Sequence, residues 1–209
     1  MRPAKYNSNN DDEALKTKMT NYEKLCEKDA GQFSSFIQSM NELVAVTDVE
    51  SEILSKASLH LKQLISDDSW LPDDCAQPCA ESYAQNLLYK DPSNRYSVVC
   101  FVWGPGQKTP VHNHSVWGLV GVLRGAELCD EFELIDGQPK PQGLSHVLKS
   151  GQVEAVSPTV GDWHKVANHI EYAPSISIHV YGGDIGTIKR QMMNEQGEVV
   201  EFISGYSTV

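Results

Sequence analysis

Apolar positions in the first third of the chain recur at helical spacing and predict two helices. The first stripe is Phe33, Phe36, Ile37, Met40, Leu43 and Val44, and the second is Leu54, Ala57, Leu61, Leu64 and Ile65. The stretch from Thr47 to Glu50 has the pattern of a capping box ahead of the second helix. Two helices are too few for an independent core, so we expect residues 13–75 to form a helical portion that packs against the rest of the chain.

From Tyr83 onward the pattern changes to short β-rich runs separated by turn residues. The runs span residues 96–103, 117–123, 129–135, 153–156 and 175–181. Asp136-Gly137 predicts a tight hairpin between two of them. Glycine and proline in the gaps favour an antiparallel sandwich or barrel over alternating strands and helices. Residues 76–209 are therefore predicted to form a single mainly-β domain.

The composition is that of one globular domain. The chain has 209 residues, of which 40% are hydrophobic and 22% are charged, and this balance suits a packed core. Residues 1–12 are polar and are expected to be disordered. The beginning of the chain lacks the apolar stretch of a secretory signal, and no apolar run approaches the roughly 20 residues of a membrane span. We therefore expect a cytoplasmic location.

The net charge and the number of cysteines narrow the range of expected binding partners and sites. With 28 acidic and 17 basic residues the net charge is -11, which repels phosphate backbones and anionic lipids. Neither nucleic acid nor a membrane is an expected partner. Five cysteines are spread over the chain, an odd number that does not suggest a disulfide framework. The pair Cys75-x3-Cys79 is interpreted as two reduced thiols in a loop rather than as a zinc site.

Three of the seven histidines stand in a pattern with chemical meaning. His112-x-His114 places both imidazoles on one face if the segment is a strand, where both could bind one ion. Such a pair also arises by chance in turns and on polar faces. A second element, Pro158-x2-Gly161-x2-His164-x3-Asn168, combines a tight turn with a histidine at the beginning of an apolar run. Together the two elements predict a metal site.

These two elements resemble the paired motifs of the cupin superfamily. The resemblance implies a small antiparallel β-barrel or jelly roll in which His112, His114 and His164 bind one metal ion. Many cupins have a glutamate ligand a few residues after the first two histidines, and Gly118 occupies that place here. The implied ligand set is therefore three neutral imidazoles.

A wider match is similar to one cupin branch, the thiol dioxygenases of the cysteine dioxygenase family. It covers residues 80–190 and includes the motifs Tyr83-Ala84-Gln85-Asn86, His112-Asn113-His114, Leu123-x-Gly125 and Ser177-Ile178-His179-Val180-Tyr181. The resemblance implies Fe(II) as cofactor, with a small-molecule thiol and O2 as reaction partners and a sulfinic acid as product. Three histidines leave the ferrous ion its full charge, which a substrate thiolate can balance.

Ser177, His179 and Tyr181 alternate along a predicted strand and so share a face. The resemblance implies that they form a catalytic chain, with the Tyr181 hydroxyl near substrate and oxygen. The alternative is an interior polar network without a catalytic role. In animal-type members a cysteine is cross-linked to the tyrosine. The matching position here is Gly118, so no such link is expected.

Two residues bear on the substrate. Gln85 stands where animal-type members have an arginine, and a glutamine cannot form an ion pair with a carboxylate. This departure resembles the bacterial branch that includes 3-mercaptopropionate dioxygenases. In that branch an arginine nine residues after the tyrosine binds the carboxylate, and Arg190 holds this place. Its alternative interpretation is a solvated surface charge. The expected substrate is 3-mercaptopropionate, followed by L-cysteine.

Other functions stay open on sequence grounds. One alternative is a different metal-dependent cupin enzyme, and another is a non-catalytic cupin that binds a small ligand. The sequence does not fix the metal, since imidazoles also bind zinc, nickel and copper. It leaves the oligomeric state open as well, a monomer being compatible. For His60 and His146 we expect surface or packing roles.

Overall fold

The computed structural model describes residue 25 and residues 31–207. The disorder predicted for residues 1–12 lies outside this range. Two helices, α1 (Gln32–Val46) and α2 (Glu50–Leu64), precede a short 3-10 helix at Asp73–Ala76. None of the helices in the described residues combines the length and the apolar character needed to cross a bilayer.

The predicted capping box is wrong. Helix α2 begins at Glu50 after Val49, and no side chain caps it. Thr47 lies too far ahead of the first turn: its hydroxyl accepts a hydrogen bond from the Val49 N–H at 3.2 Å and donates one to Glu52 at 2.9 Å. Glu50 instead accepts a hydrogen bond from the Ser157 hydroxyl at 2.6 Å, which ties the helix to the β-domain.

Ten strands follow within the described residues. They are β1 (Ala84–Lys90), β2 (Ser97–Trp103), β3 (Gly118–Arg124), β4 (Ala126–Ile135), β5 (Gln138–Lys149), β6 (Val153–Val156), β7 (Trp163–Asn168), β8 (Ser175–Tyr181), β9 (Arg190–Met193) and β10 (Val199–Phe202). The predicted hairpin lies between β4 and β5, where Asp136 and Gly137 both have positive φ, 51° and 75°, as a type I′ turn requires.

The strand order is that of a double-sheet jelly roll. One sheet has the order β1-β2-β8-β3-β6, a second has the order β5-β4-β7, and β9 and β10 form a separate pair. The segment before β3 runs along β7 through the bridges Lys108–Ala167 and His112–His164. This segment lies beside β7 as a fourth extended element of the second sheet, which then has the order segment, β7, β4, β5. That sheet faces strands β2, β8, β3 and β6 of the first sheet. All strand pairs are antiparallel. The predicted fold class, a mainly-β jelly roll with N-terminal helices, is confirmed.

The two faces of the five-stranded sheet contact different layers. The outer face packs against the two helices, so closely that a Cβ atom at Gly121 would lie 3.0 Å from Leu61 Cγ. The inner face lines the interior of the jelly roll. Strand β8 alternates accordingly: Ile176, Ile178 and Val180 join the helix-facing core, and the residues between them point inward. This alternation places Ser177, His179 and Tyr181 inside the domain.

Candidate metal centre

Three histidines come together at one end of the jelly-roll interior. His112 and His164 are paired through their backbones, with N–H to carbonyl distances of 2.9 and 3.0 Å. The ring centroids of His112, His114 and His164 are separated by 4.7 to 5.0 Å. One nitrogen of each ring lies within 4.8 Å of the others. His114 belongs to no strand and His112 only to an isolated bridge, so the assumption of a regular strand is wrong, although the two rings still converge.

Hydrogen bonds at the outer nitrogens fix the direction of two rings. His112 Nδ1 lies 3.1 Å from the Pro110 carbonyl oxygen, and His114 Nδ1 lies 3.1 Å from Asp162 Oδ1. Because a carbonyl and a carboxylate only accept, each Nδ1 carries the proton. In the neutral imidazole this tautomer leaves Nε2 as the electron-pair donor, which is the form that binds a metal.

Asp162 anchors the loop that carries His114. Besides the imidazole, its carboxylate accepts the backbone N–H groups of His114 at 2.8 Å and Ser115 at 3.0 Å. Burial opposes ionisation of this carboxyl, but the hydrogen bonds from His114 and Ser115 outweigh it and lower the pKa. No local sequence pattern marks Asp162, because its partner His114 lies 48 residues away.

The cluster fits a divalent transition metal. Among the described residues, His114 Nε2 is fully buried and has no hydrogen-bond partner, an arrangement that is costly without a ligand. Burial lowers the pKa of His112 to about 3, and burial together with His114 holds the pKa of His164 well below its usual range. The imidazoles of His112 and His164 are therefore neutral at neutral pH, as metal binding requires. A set of three nitrogen donors suits iron, zinc, copper or nickel.

A hydrogen-bonded chain runs along the inner face of β8 toward these rings. Ser177 Oγ lies 2.8 Å from His179 Nε2, and His179 Nδ1 lies 2.7 Å from the Tyr181 hydroxyl. The Trp103 indole, which can only donate, reaches Ser177 Oγ at 3.1 Å. Burial, reinforced by His114 and His112, lowers the pKa of His179, so this ring is neutral and donates from one nitrogen only.

Tyr181 is the member of the chain that contacts one of the three clustered histidines. Its ring stacks on His114 with a centroid distance of 5.4 Å. A Cβ atom at Gly118 would lie 2.8 Å from Tyr181 Cδ1. Gly118 therefore faces the Tyr181 ring.

A cavity of about 330 Å³ opens beside the cluster and contains the predicted substrate-binding residues. Its polar lining includes His112, His164, Tyr181, Arg190 and Gln85, and its apolar lining includes Phe101, Trp103, Val166, Met192 and Phe202. The C-terminal segment after β10 closes one side: the Ser207 N–H donates to the Gln85 carbonyl at 2.8 Å. The volume suits a small molecule.

Arg190 is buried in this wall and is not a solvated surface charge. Only 5% of the residue is exposed. Its guanidinium donates to Ser204 Oγ at 2.6 Å and lies 4.6 Å from the centroid of the Phe202 ring. Its Nε has no hydrogen-bond partner, and no ion pair of the described residues includes it. Burial lowers its pKa from the usual value, yet an arginine stays charged.

Gln85 lies on the same wall and is linked to Arg190 through one hydroxyl. The Gln85 amide donates to Ser204 Oγ at 3.1 Å and to the Gly205 carbonyl at 3.0 Å. Its amide protons are thus used within the protein, and Ser204 connects it to the guanidinium. Ser204 was not predicted from the sequence, since no pattern in the last ten residues marks a pocket wall.

Glu127 is a further residue that the sequence analysis missed. It is fully buried at the beginning of β4, and neither carboxyl oxygen has a hydrogen-bond partner among the described residues. Burial raises its pKa to about 7, although the nearby Ser177 hydroxyl and Trp103 indole oppose the shift. Burial thus favours the protonated form of this carboxyl. Alternation with Cys129 could have shown that it points inward.

Comparison with known proteins shows likeness at the level of the fold. No family model matches the chain. An uncharacterized conserved protein with a double-stranded β-helix domain from Klebsiella pneumoniae is 18% identical, with 62% of this chain and 91% of that chain covered and a TM-score of 0.43. A cupin 2 conserved barrel domain protein from Rhodopseudomonas palustris is 17% identical, with 58% and 76% covered and a TM-score of 0.42.

An oxalate oxidase in complex with the substrate analogue glycolate is 19% identical, with 43% of this chain and 42% of that chain covered and a TM-score of 0.36. At such identities and TM-scores these likenesses assign no activity. The jelly roll rests on the strand order of this chain, and the candidate site rests on its own side chains.

Proposed function

We propose that this protein is an Fe(II)-dependent thiol dioxygenase that converts a small mercapto-carboxylate, 3-mercaptopropionate or L-cysteine, together with O2 to the sulfinic acid. The observation that carries the proposal is one cavity lined by His112 and His164 of the histidine cluster, by the buried Arg190 and by Tyr181. The resemblance to thiol dioxygenases in the motifs of the sequence supports the same assignment.

The histidine cluster holds the metal through three neutral nitrogens. Bound there, iron(II) would supply O2 activation and would favour the thiolate form of the substrate. The reaction balances without a further reductant: both oxygen atoms end on sulfur, which loses four electrons as O2 gains four, and the thiol proton is released. A substrate of this type therefore needs only O2 as its second reactant.

Arg190 binds and orients the substrate carboxylate. It is a buried cation whose Nε is free to donate, and it forms no ion pair with a carboxylate of the described residues. A small anion in the cavity would receive charge-assisted hydrogen bonds there. The apolar lining around it excludes water and strengthens this attraction. The thiol end of the substrate then faces the histidines.

Tyr181 holds a proton at the cavity side of the site. Burial raises the pKa of its phenol above the usual value, so the hydroxyl stays protonated. In the tautomer in which Ser177 donates to His179 Nε2 and His179 donates from Nδ1, the Tyr181 oxygen accepts from the ring. Its own O–H is then left to donate into the cavity, toward the reacting sulfur and oxygen atoms.

The proposal is tested with iron-loaded protein and three thiols: 3-mercaptopropionate, L-cysteine and cysteamine. We expect O2 consumption with sulfinate formation for the two carboxylate-bearing thiols. The His164→Ala variant should lose iron and activity. The His169→Ala variant is the matched control, because His169 is exposed and lies outside the cluster, and it should keep both. Retained iron with no turnover of any thiol would refute the proposal and favour a different metal-dependent cupin.

A further inference from the structure

A second group of metal-ligating side chains lies away from the cavity. Cys129, His146 and Glu154 each offer one ligand atom, and these atoms lie within 4.8 Å of one another. Cys129 on β4 and His146 on β5 are directly opposite each other in the antiparallel pair, so their side chains share a face. Glu154 lies on β6, the edge strand of the facing sheet. The group therefore bridges the two sheets at one margin of the jelly roll.

The imidazole of this group is surrounded by acceptors. His146 Nε2 lies 2.5 Å from Glu154 Oε2, and His146 Nδ1 lies 4.0 Å from Glu131 Oε1. The adjacent Asp130 is paired with Lys165 at 3.3 Å. The immediate surroundings thus carry more negative than positive charge, which favours a bound cation.

The group also has an approach from solvent. Cys129 is only 2% exposed, whereas the side chains of His146 and Glu154 are 38% and 26% exposed. A metal ion could therefore enter from the side of the imidazole and the carboxylate and meet the thiol at the inner end. None of the three residues lines the cavity of the histidine cluster.

We propose that Cys129, His146 and Glu154 form a second divalent-metal site, separate from the histidine cluster and suited to zinc. One sulfur, one nitrogen and one oxygen donor match the ligands that Zn²⁺ prefers, and a water molecule would complete a tetrahedral set. Binding replaces the thiol proton of Cys129 with the metal, releases that proton to solvent, and involves no change of oxidation state.

The chemistry of the two sites gives a clean spectroscopic distinction. The histidine cluster contains only nitrogen donors, whereas the second site contains a sulfur donor. Co²⁺ bound to a thiolate shows a sulfur-to-metal charge-transfer band in the near ultraviolet, and Co²⁺ bound to imidazoles alone does not. The titration is done on metal-free protein in a buffer without small thiols, because a free thiol at the first site would imitate the signal.

We expect this band to appear in the wild type and in His164→Ala, which lacks the first site. It should be absent in Cys129→Ser and at least strongly weakened in His146→Ala. The matched control is Cys79→Ser, which removes an exposed thiol elsewhere and should keep the band. Equilibrium dialysis with Zn²⁺ should give two bound ions per wild-type chain and one for either Cys129→Ser or His164→Ala.

A band that survives in Cys129→Ser, or a single zinc ion per wild-type chain, would overturn the second site. Circular dichroism identifies a variant that fails to fold. In that case Glu154→Gln, which alters only a partly exposed carboxylate, decides by its loss or retention of the second bound zinc ion. These measurements need no turnover, so they stand apart from the thiol dioxygenase assay. The dioxygenase proposal can fail while the second site is confirmed, and the reverse also holds.

Discussion

Replacing Glu127 with glutamine keeps the shape of a fully buried side chain and removes its ability to ionise. The pKa of this carboxyl is about 7 in the folded protein, compared with the ordinary value of 4.5, because burial disfavours the charged form. At ~1.4 kcal/mol per pKa unit, the difference corresponds to about 3 kcal/mol of stability. The protein is expected to lose this amount as the pH rises.

The direction in which stability changes with pH follows from the number of protons that the folded and unfolded states bind. Between pH 4.5 and about 7 the unfolded chain has released the Glu127 proton while the folded chain still holds it. The free energy of unfolding therefore falls as the pH rises through this window and levels off above it. Below pH 4.5 both states are protonated and the cost is absent. Glu127→Gln lacks this titration, so the variant should gain stability relative to the wild type from pH 4 to pH 8, by up to about 3 kcal/mol.

Urea unfolding of both metal-free proteins across that range measures the difference directly. Other groups, including the neutral histidines, titrate alike in both proteins and cancel. The control is Glu133→Gln, an exposed carboxylate on the same strand, for which we expect a difference that does not change with pH. A flat difference for Glu127→Gln as well would show that the buried carboxyl ionises normally and would refute the reasoning.

Three further variants test the site. Arg190→Ala should raise KM for 3-mercaptopropionate roughly 10- to 100-fold, the worth of a hydrogen-bonded charge pair, and should leave cysteamine, which has no carboxylate, almost unaffected in steady-state kinetics. Asp162→Asn should weaken iron binding about 10- to 100-fold in a competition with a chelator, because the anchor of His114 Nδ1 loses its charge. Gly118→Ala should lower kcat about tenfold or more, because the added methyl carbon would lie 2.8 Å from Tyr181 Cδ1 and would displace the ring.

Each of these has a result that would contradict it. If Arg190→Ala weakens all thiols equally, the guanidinium supports the fold of the wall rather than the carboxylate. Unchanged iron affinity in Asp162→Asn would show that the backbone bonds of the loop suffice to orient His114. An unchanged kcat in Gly118→Ala would mean that the position of Tyr181 does not matter for turnover.

Elements that are set by residues close together in the sequence were predicted correctly. The apolar stripe from Phe33 predicted α1, the Asp136-Gly137 pair predicted the β4–β5 hairpin, and the alternation in β8 predicted an inward row of Ser177, His179 and Tyr181. In each case the period of the sequence equals the period of the structure. The convergence of the histidines was accessible because their spacing was recognisable as a motif.

Contacts between distant segments were not accessible in this way. Asp162 acquires its role from His114, and Ser204 acquires its role from Gln85 and Arg190. These pairs are set by the antiparallel sheets and the C-terminal segment, which no short-range pattern encodes. The proposed second metal site was not predicted for the same reason, because Cys129 and His146 come together only through the pairing register of β4 and β5.

The predicted capping box is a case in which a local pattern gave the wrong helix boundary. Thr47 had the correct residue type, but the helix begins at Glu50, and the threonine bonds to Glu52 instead. A local motif therefore placed the beginning of the helix wrongly although it predicted the helix itself. Boundaries depend on the packing of the neighbouring chain, here the hydrogen bond from Ser157 to Glu50.

The proposed reaction adds both atoms of O2 to the sulfur of a small mercapto-carboxylate in the three-histidine cavity. It is tested by mass spectrometry of the product that iron-loaded protein makes from 3-mercaptopropionate under ¹⁸O2. We expect a sulfinate in which both sulfur-bound oxygens carry the label. A product with unlabelled oxygen taken from water, or only the disulfide of the substrate, would contradict it.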